Sequence, residues 1–204
     1  ELPSGSLVFP KFPSLGLWTS EEFVTDDPDD LIALPSTITD LDPLQLAQLA
    51  VNPSTAFRML QDFVPVGSSP DSHDIVIQNL PTSAVGKFVN QLCRLWDVPC
   101  ISMARRGERD DLEWKVYREA IMNDGAYAVF DENDPNVLSN VLEAVEGFRG
   151  TGGNVLALNG VGGRSATTLQ KIVTKIPTKT HPATVVTYGG MSRKPVIVGT
   201  GHLI

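Results

Sequence analysis

Cysteine is scarce in this chain: Cys93 and Cys100 are the two among 204 residues. Two are too few for a disulfide scaffold or a cysteine-ligated zinc site. Cys93 falls on the inward side of an expected helix and Cys100 in the next expected strand, so both read as buried thiols in a reducing compartment. Positive charge is also short. Sixteen Lys and Arg face 24 Asp and Glu, a net charge of -8, and non-specific nucleic-acid binding needs a basic footprint. No apolar run has the length to span a bilayer. The three histidines, His73, His181 and His202, are scattered without metal-ligand spacing. No Ser/His/Asp or Cys/His arrangement stands out. The acidic run from Asp26 to Asp30 reads as a solvated loop. The chain begins at Glu1 rather than Met, shows no signal or transit peptide and ends on the apolar GHLI. It is expected to be a processed or partial chain.

What is present is organised around HDIVIQNLPTSAVG, from His73 to Gly86. Ile75, Val76 and Ile77 are the β-branched residues of a buried strand. A tight polar turn follows at residues 79–83. An apolar-periodic segment comes next, with Val85, Phe88, Val89, Leu92 and Leu95 on one helical face and Ser83 placed to cap it. Strand, short loop and helix N-terminus together bind dinucleotide phosphates, because the first helical turn has unpaired N–H groups and partial positive charge. The usual G-x-G-x-x-G is reduced to Gly86. An ordinary capped turn is the competing reading.

Residues 1–24 read as short β-strands joined by Pro and Gly turns, with too little β-sequence nearby to supply partners. Residues 40–63 read as helical, started by Asp40 or Asp42 with Pro43, and restarted at Asn52-Pro53. Beyond the organising strand, strands are expected at residues 99–103, 126–130, 154–158 and 183–187, with helices at 110–122, 136–148 and 165–176. One more short strand is expected at residues 195–198. Strict βαβα alternation with buried strands predicts an α/β fold, a doubly wound parallel sheet whose ligands bind at the strands' carboxyl ends.

Four strand tips there are polar or Gly-rich. The second carries Arg105-Arg106 and then Glu108. An acidic residue at this place takes the ribose hydroxyls of NAD, whereas arginine suits the extra phosphate of NADP. A guanidinium matches a phosphate in geometry and charge, so the pair points to NADP(H); a solvated pair held by Glu108 or Asp110 is the alternative. The fourth and fifth tips, NGVGG and YGGM, let backbone approach a flat ligand closely. Tyr188 is read as packing its ring and not as the catalyst. The third tip, Asp131-Glu132-Asn133, is expected to be plain loop.

The runs VNPSTAFRML, DIVIQNLPTSAVGKFVNQL, ALNGVGGRSATTL and VTYGGMSRKPV, in that order, resemble the mitochondrial trans-2-enoyl-thioester reductases. These belong to the quinone-reductase branch of the medium-chain dehydrogenases/reductases. VFPKFPSLGLWTSEEFV resembles the last strands of that family's catalytic domain. The resemblance implies a Rossmann-like NADP-binding domain over residues 31–204, after a remnant of a GroES-like catalytic β-domain at 1–30. It implies NADPH-dependent reduction of enoyl-CoA or enoyl-acyl-carrier-protein in mitochondrial fatty-acid synthesis. Carried over by position, Asn52 would contact the nicotinamide end, and Thr82, Ser83, Ala84 and Val85 would form the pyrophosphate loop. Arg105, Arg106 and Gly107 would surround the 2′-phosphate. Tyr188, Gly189, Gly190 and Met191 would flank the nicotinamide. A homodimer through an edge strand at residues 194–198 is also implied. There are departures: Ala84 stands where the family often has Gly, Gly107 where it has a second basic residue, and Leu80-Pro81 is stiffer than its usual small polar pair. The family's catalytic tyrosine lies upstream of the matched part, so no catalytic residue is assigned. The rival expectations are an inactive relative serving as a structural subunit of a mitochondrial complex, and a generic quinone reductase, which predicts the standard glycine-rich loop.

Overall fold

A computed structural model describes residues 5–11, 27–35, 38, 41–67, 73–148, 153–176 and 183–198. The chain divides into two compact units, Glu1–Ala50 and Val51–Ile204. In the first, Val8–Pro10 (β1) pairs antiparallel with Leu31–Ala33 (β2), Phe9 opposite Ile32. The sequence expectation had no partner for the N-terminal strands; β2 is that partner. It follows a 3-10 turn at Pro28–Asp30, where the Lys11 N–H donates to the Asp30 carbonyl at 2.8 Å. Because β2 pairs back, this unit runs past residue 30, the boundary expected from sequence, to Ala50. The apolar runs at residues 15–18 and 23–24 lie outside the described residues. Helix Pro43–Gln48 (α1) starts with a capping box: Asp42 accepts from the Leu44 N–H at 2.7 Å, and Gln45 accepts from the Asp42 N–H at 2.9 Å.

The second unit opens with Asn52–Gln61 (α2) and then alternates. Its elements are Ile75–Gln78 (β3), Ala84–Leu95 (α3), Cys100–Ala104 (β4), Asp111–Asn123 (α4), Ala128–Asp131 (β5), Val137–Phe148 (α5), Val155–Asn159 (β6), Gly163–Val173 (α6) and Thr184–Thr187 (β7). The five strands form a parallel sheet in the order β5-β4-β3-β6-β7. The chain starts in the middle, winds one way through β4 and β5, and returns to the other side of β3 with β6. The strand order therefore reverses between β3 and β6, the place where such sheets open a crevice. Residues 195–198, expected as a strand, form none, and β7 ends the sheet among the described residues.

Alternation along the strands feeds two cores. Ile75, Ile77, Ile101, Met103 and Ala157 face α5 and α6, meeting Val141, Leu169 and Ile172. Val76, Cys100, Leu156 and Leu158 face the other way, onto Ala56, Met59 and Leu60 of α2 and Val89 and Cys93 of α3. Burying each such aliphatic side chain stabilises by about 1.5–3 kcal/mol before entropy is set against it. The buried stripe of α3 is Gly86, Val89, Asn90 and Cys93. Val85, Phe88 and Leu92 are half-buried beside it, and Leu95, expected on the inner face, is 76% exposed.

The stripe is rotated because Gln78, on this face of β3, reaches into the helix. Its Nε2 donates to Asn90 Oδ1 at 2.6 Å and to the Gly86 carbonyl at 3.1 Å. Cys93 and Cys100 are both buried free thiols. Hydrogen bonding to Cys100, and then burial, push the Cys93 thiol well above its ordinary range. Among the described residues, no helix is long and apolar enough to cross a membrane.

Candidate functional site

The crevice is built outward from the first strand. After Gln78 the chain turns through Asn79, Leu80 and Pro81 into α3. Ser83 Oγ accepts from the Gly86 N–H at 3.0 Å and donates to the Leu80 carbonyl at 3.0 Å. That cap satisfies the third amide of the helix. The amides of Ala84 and Val85 have no partner among the described residues and open at the positive end of a twelve-residue helix. Gly86 is dictated by sterics, since a Cβ there would lie 2.1 Å from the Leu80 carbonyl oxygen.

Beneath the loop the switch point is fastened by side-chain amides. Asn79, 3% exposed, donates through Nδ2 to Asn159 Oδ1 at 2.8 Å and to Ser165 Oγ at 2.9 Å; its Oδ1 accepts from the Gly160 N–H at 2.9 Å. Asn159 Oδ1 also accepts from the Gly162 N–H at 3.0 Å, and its Nδ2 donates to Thr187 Oγ1 at 3.2 Å. The tips of β3, β6 and β7 and the start of α6 are thus one hydrogen-bonded floor. Gly160 has no room for a Cβ, which would meet Leu80 Cδ2 at 2.7 Å and the Tyr188 hydroxyl at 2.8 Å.

Two adjoining cavities lie above this floor, with Arg105, Glu132 and Ser192 in both walls. One, of about 260 Å³, runs between the loop Asn79–Thr82 and Met191. The other, of about 420 Å³, adds Arg164, Ser165, Thr168 and Lys194. Leu80 and Pro81 form a wall of the first and do not fill it. The lining carries three cations, Arg105, Arg164 and Lys194, against the carboxylate of Glu132, a balance that suits a phosphorylated ligand.

The residues singled out from sequence separate here. Thr82 and Arg105 line the crevice, and Met191, 71% exposed, lines its far wall. Ser83, Ala84 and Val85 form the turn entering α3. Arg106 is engaged elsewhere: its Nε donates to the Arg109 carbonyl at 2.9 Å and its Nη2 to Asp111 Oδ1 at 2.5 Å. Gly107 sits at φ +62°, a left-handed turn that disfavours any residue with a Cβ. Asn52 opens α2 and lines neither cavity. Gly189 presses on Gly160, where a Cβ would come 2.8 Å from the Gly160 carbonyl oxygen, whereas Gly190 is open.

Tyr188 packs its ring against the α3-side core, and its hydroxyl is buried without a hydrogen-bond partner among the described residues. Burial raises its pKa from the ordinary 10.0; the Ser83 hydroxyl nearby pulls it partly back without reaching hydrogen-bond geometry. His181 and His202 lie outside the described residues.

Glu132, expected in a plain loop, is a wall residue that sequence reading missed. It accepts from Arg105 Nε and Ser165 Oγ in two short hydrogen bonds. Arg164 and Lys194 were missed too, although Arg164 directly follows the glycines of NGVGG.

No family model matches the chain. Among solved structures, a quinone reductase of Bacillus thuringiensis aligns with a TM-score of 0.61 at 20% identity, over 83% of this chain and 44% of that one, a likeness of fold. The enoyl thioester reductase Etr1p, solved with NADP and crotonyl-CoA, aligns with a TM-score of 0.70 at 32% identity, over 86% of this chain and 47% of that one. Strand order, switch-point crevice and these neighbours define a Rossmann-like domain of the medium-chain dehydrogenase/reductase kind.

Along its own length the chain is more closely placed. It is 32% identical over 205 residues to the mitochondrial enoyl-[acyl-carrier-protein] reductase 1 of Debaryomyces hansenii, covering 98% of this chain and 53% of that protein. It is 35% identical over 200 residues to the corresponding reductase of Caenorhabditis elegans, covering 98% and 50%. The chain is a relative of the mitochondrial enoyl-[acyl-carrier-protein] reductases, and spans about half the length of those it matches.

Proposed function

We propose that the chain is the NADPH-binding portion of a mitochondrial enzyme that reduces trans-2-enoyl thioesters carried on coenzyme A or acyl carrier protein. The observation that carries this is the pairing of two phosphate-suited features across one crevice. The open amides of Ala84 and Val85 come just after Thr82, a residue of the crevice wall, and Arg105, with neither terminal nitrogen engaged among the described residues, lines the same crevice. The relatives' names supply the reaction and the compartment, and a solved neighbour was crystallised with NADP and crotonyl-CoA.

In this reading Thr82, Ser83, Ala84 and Val85 hold the pyrophosphate, mainly through backbone amides, because the Ser83 hydroxyl is committed to its cap. Arg105 takes the 2′-phosphate; Arg106 and Gly107 shape the turn that presents it. Asn52, Gly189, Gly190 and Met191 serve the nicotinamide end, with Tyr188 as the packed base beneath the glycines. Bound NADPH would supply the hydride for the β-carbon of the enoyl thioester. This chain's residues orient it and exclude water; none is assigned as the proton donor. A second chain belongs to the proposal as well: one solved neighbour is a heterodimer of two such reductases, and β7 offers the sheet's edge.

Calorimetric titration of the 204-residue chain tests the reading. NADPH is expected to bind more tightly than NADH, and Arg105→Ala to cut that preference by about tenfold, the worth of a charge-assisted hydrogen bond. Equal affinity for the two in the unmodified chain would overturn it. The second reading, a structural subunit without nucleotide, is favoured by the carboxylate of Glu132 on the crevice wall. It predicts that neither dinucleotide binds.

A further inference from the structure

Glu132 lies at a strand tip, yet its side chain is 6% exposed. It accepts from two different elements, Arg105 Nε at the end of β4 and Ser165 Oγ in the first turn of α6. The Ser165 hydroxyl has one proton and gives it to Glu132, so its lone pairs are left for Asn79 Nδ2, at 2.9 Å. Asn79 is fixed in turn by Asn159 and Gly160. The sense of every link is set, from the buried floor outward to the guanidinium.

Arg105 itself is different. Its side chain is 59% exposed. A long exposed arginine samples many rotamers, and a surface ion pair with an equally mobile partner would hold it weakly. Here the partner is already immobilised. The bond also uses Nε alone, so Nη1 and Nη2 remain a fork with no partner among the described residues.

We propose that Glu132 is a positioning residue. It grips Arg105 by Nε so that the terminal fork meets the 2′-phosphate of a dinucleotide, while Ser165 and Asn79 hold the carboxylate still. The inference rests on the dinucleotide reading above. It adds that discrimination between NADPH and NADH passes through a side chain that touches no phosphate. By charge alone a carboxylate here repels phosphate, so positioning and repulsion predict opposite signs.

The test is the ratio of NADPH to NADH affinity, by calorimetry, in the unmodified chain and in Glu132→Ala, Glu132→Gln, Ser165→Ala, Arg105→Ala and the double variant Arg105→Ala/Glu132→Ala. Glu132→Ala is expected to lower the ratio by about fivefold, the effect of one long side chain that must be re-ordered on binding. Glu132→Gln, which keeps an oxygen for Nε, falls between. Ser165→Ala lowers the ratio less while leaving the Glu132 charge in place, so repulsion alone cannot produce its effect. In the Arg105→Ala background, removing Glu132 changes the ratio no further.

A ratio that rises or stays constant in Glu132→Ala overturns the proposal. So does an equal fall with and without Arg105, or a loss of both affinities at constant ratio. A ratio near one in the unmodified chain is a separate failure: it removes the dinucleotide reading itself.

Discussion

The two ends of the crevice are built on opposite plans. At the β3–β6 end the side-chain amides of Asn79 and Asn159 are buried and paired, and glycines stand where a methyl group would strike backbone. At the β4–β5 end the working group is an exposed arginine tethered through one nitrogen. The first end is part of the fold, and changing it damages the domain. The second is an attachment, and on the dinucleotide proposal changing it alters what the domain prefers. A close-packed, hydrogen-bonded interior has few alternative states, while an exposed ion pair has many.

Three substitutions sharpen that contrast, in falling order of effect. Gly86→Ala forces the α3 entry away from the Leu80 carbonyl, 2.1 Å from the new Cβ; the expected loss is about 3 kcal/mol or more, read as a shift in the urea midpoint. Retention of native stability would show that the loop is as adaptable as the arginine end. Asn79→Ala leaves the buried Gly160 N–H without its acceptor and Asn159 Oδ1 with the Gly162 N–H alone. About 2–4 kcal/mol should be lost in the same measurement, against under about 1 kcal/mol for Arg105→Ala.

Tyr188→Phe is the smallest and has the opposite sign. It removes a buried hydroxyl with no partner among the described residues, so stability should hold or rise by up to about 1 kcal/mol. Its pH arm has a definite direction. The folded pKa is raised above the unfolded value of 10.0, so the folded state keeps its proton longer. Stability is full below pH 10 and falls as pH climbs from there through the folded pKa. The fall should shrink in Tyr188→Phe; an unchanged alkaline profile would mean that the ring is less buried than its packing indicates.

Much of the first end could be read from the chain, because its signals are local. Ile75 to Ile77, the Ser83 cap and the lone Gly86 lie within twelve residues, and each constrains the next. The second end depends on meetings that sequence distance hides. Arg105 and Arg106 look equivalent, but alternation at the strand exit sends one to the crevice and the other to Asp111. Glu132 gains its meaning from Ser165, 33 positions away, once α5 has crossed the sheet. Helical period alone predicts Leu95 inward. The Gln78–Asn90 contact, a polar pairing, occupies that face instead, and Leu95 is exposed. The β1–β2 pair escaped notice because three-residue strands carry almost no periodicity.

The neighbouring sulfurs of Cys93 and Cys100 have a consequence of their own. They join α3 to β4 in the middle of the domain, and the raised pKa keeps Cys93 protonated and therefore slow to react. An alkylating reagent can reach them only when that helix lifts off its strands. The domain thus carries its own clock for opening: the rate at which these two side chains become labelled reports how often α3 comes away from the sheet.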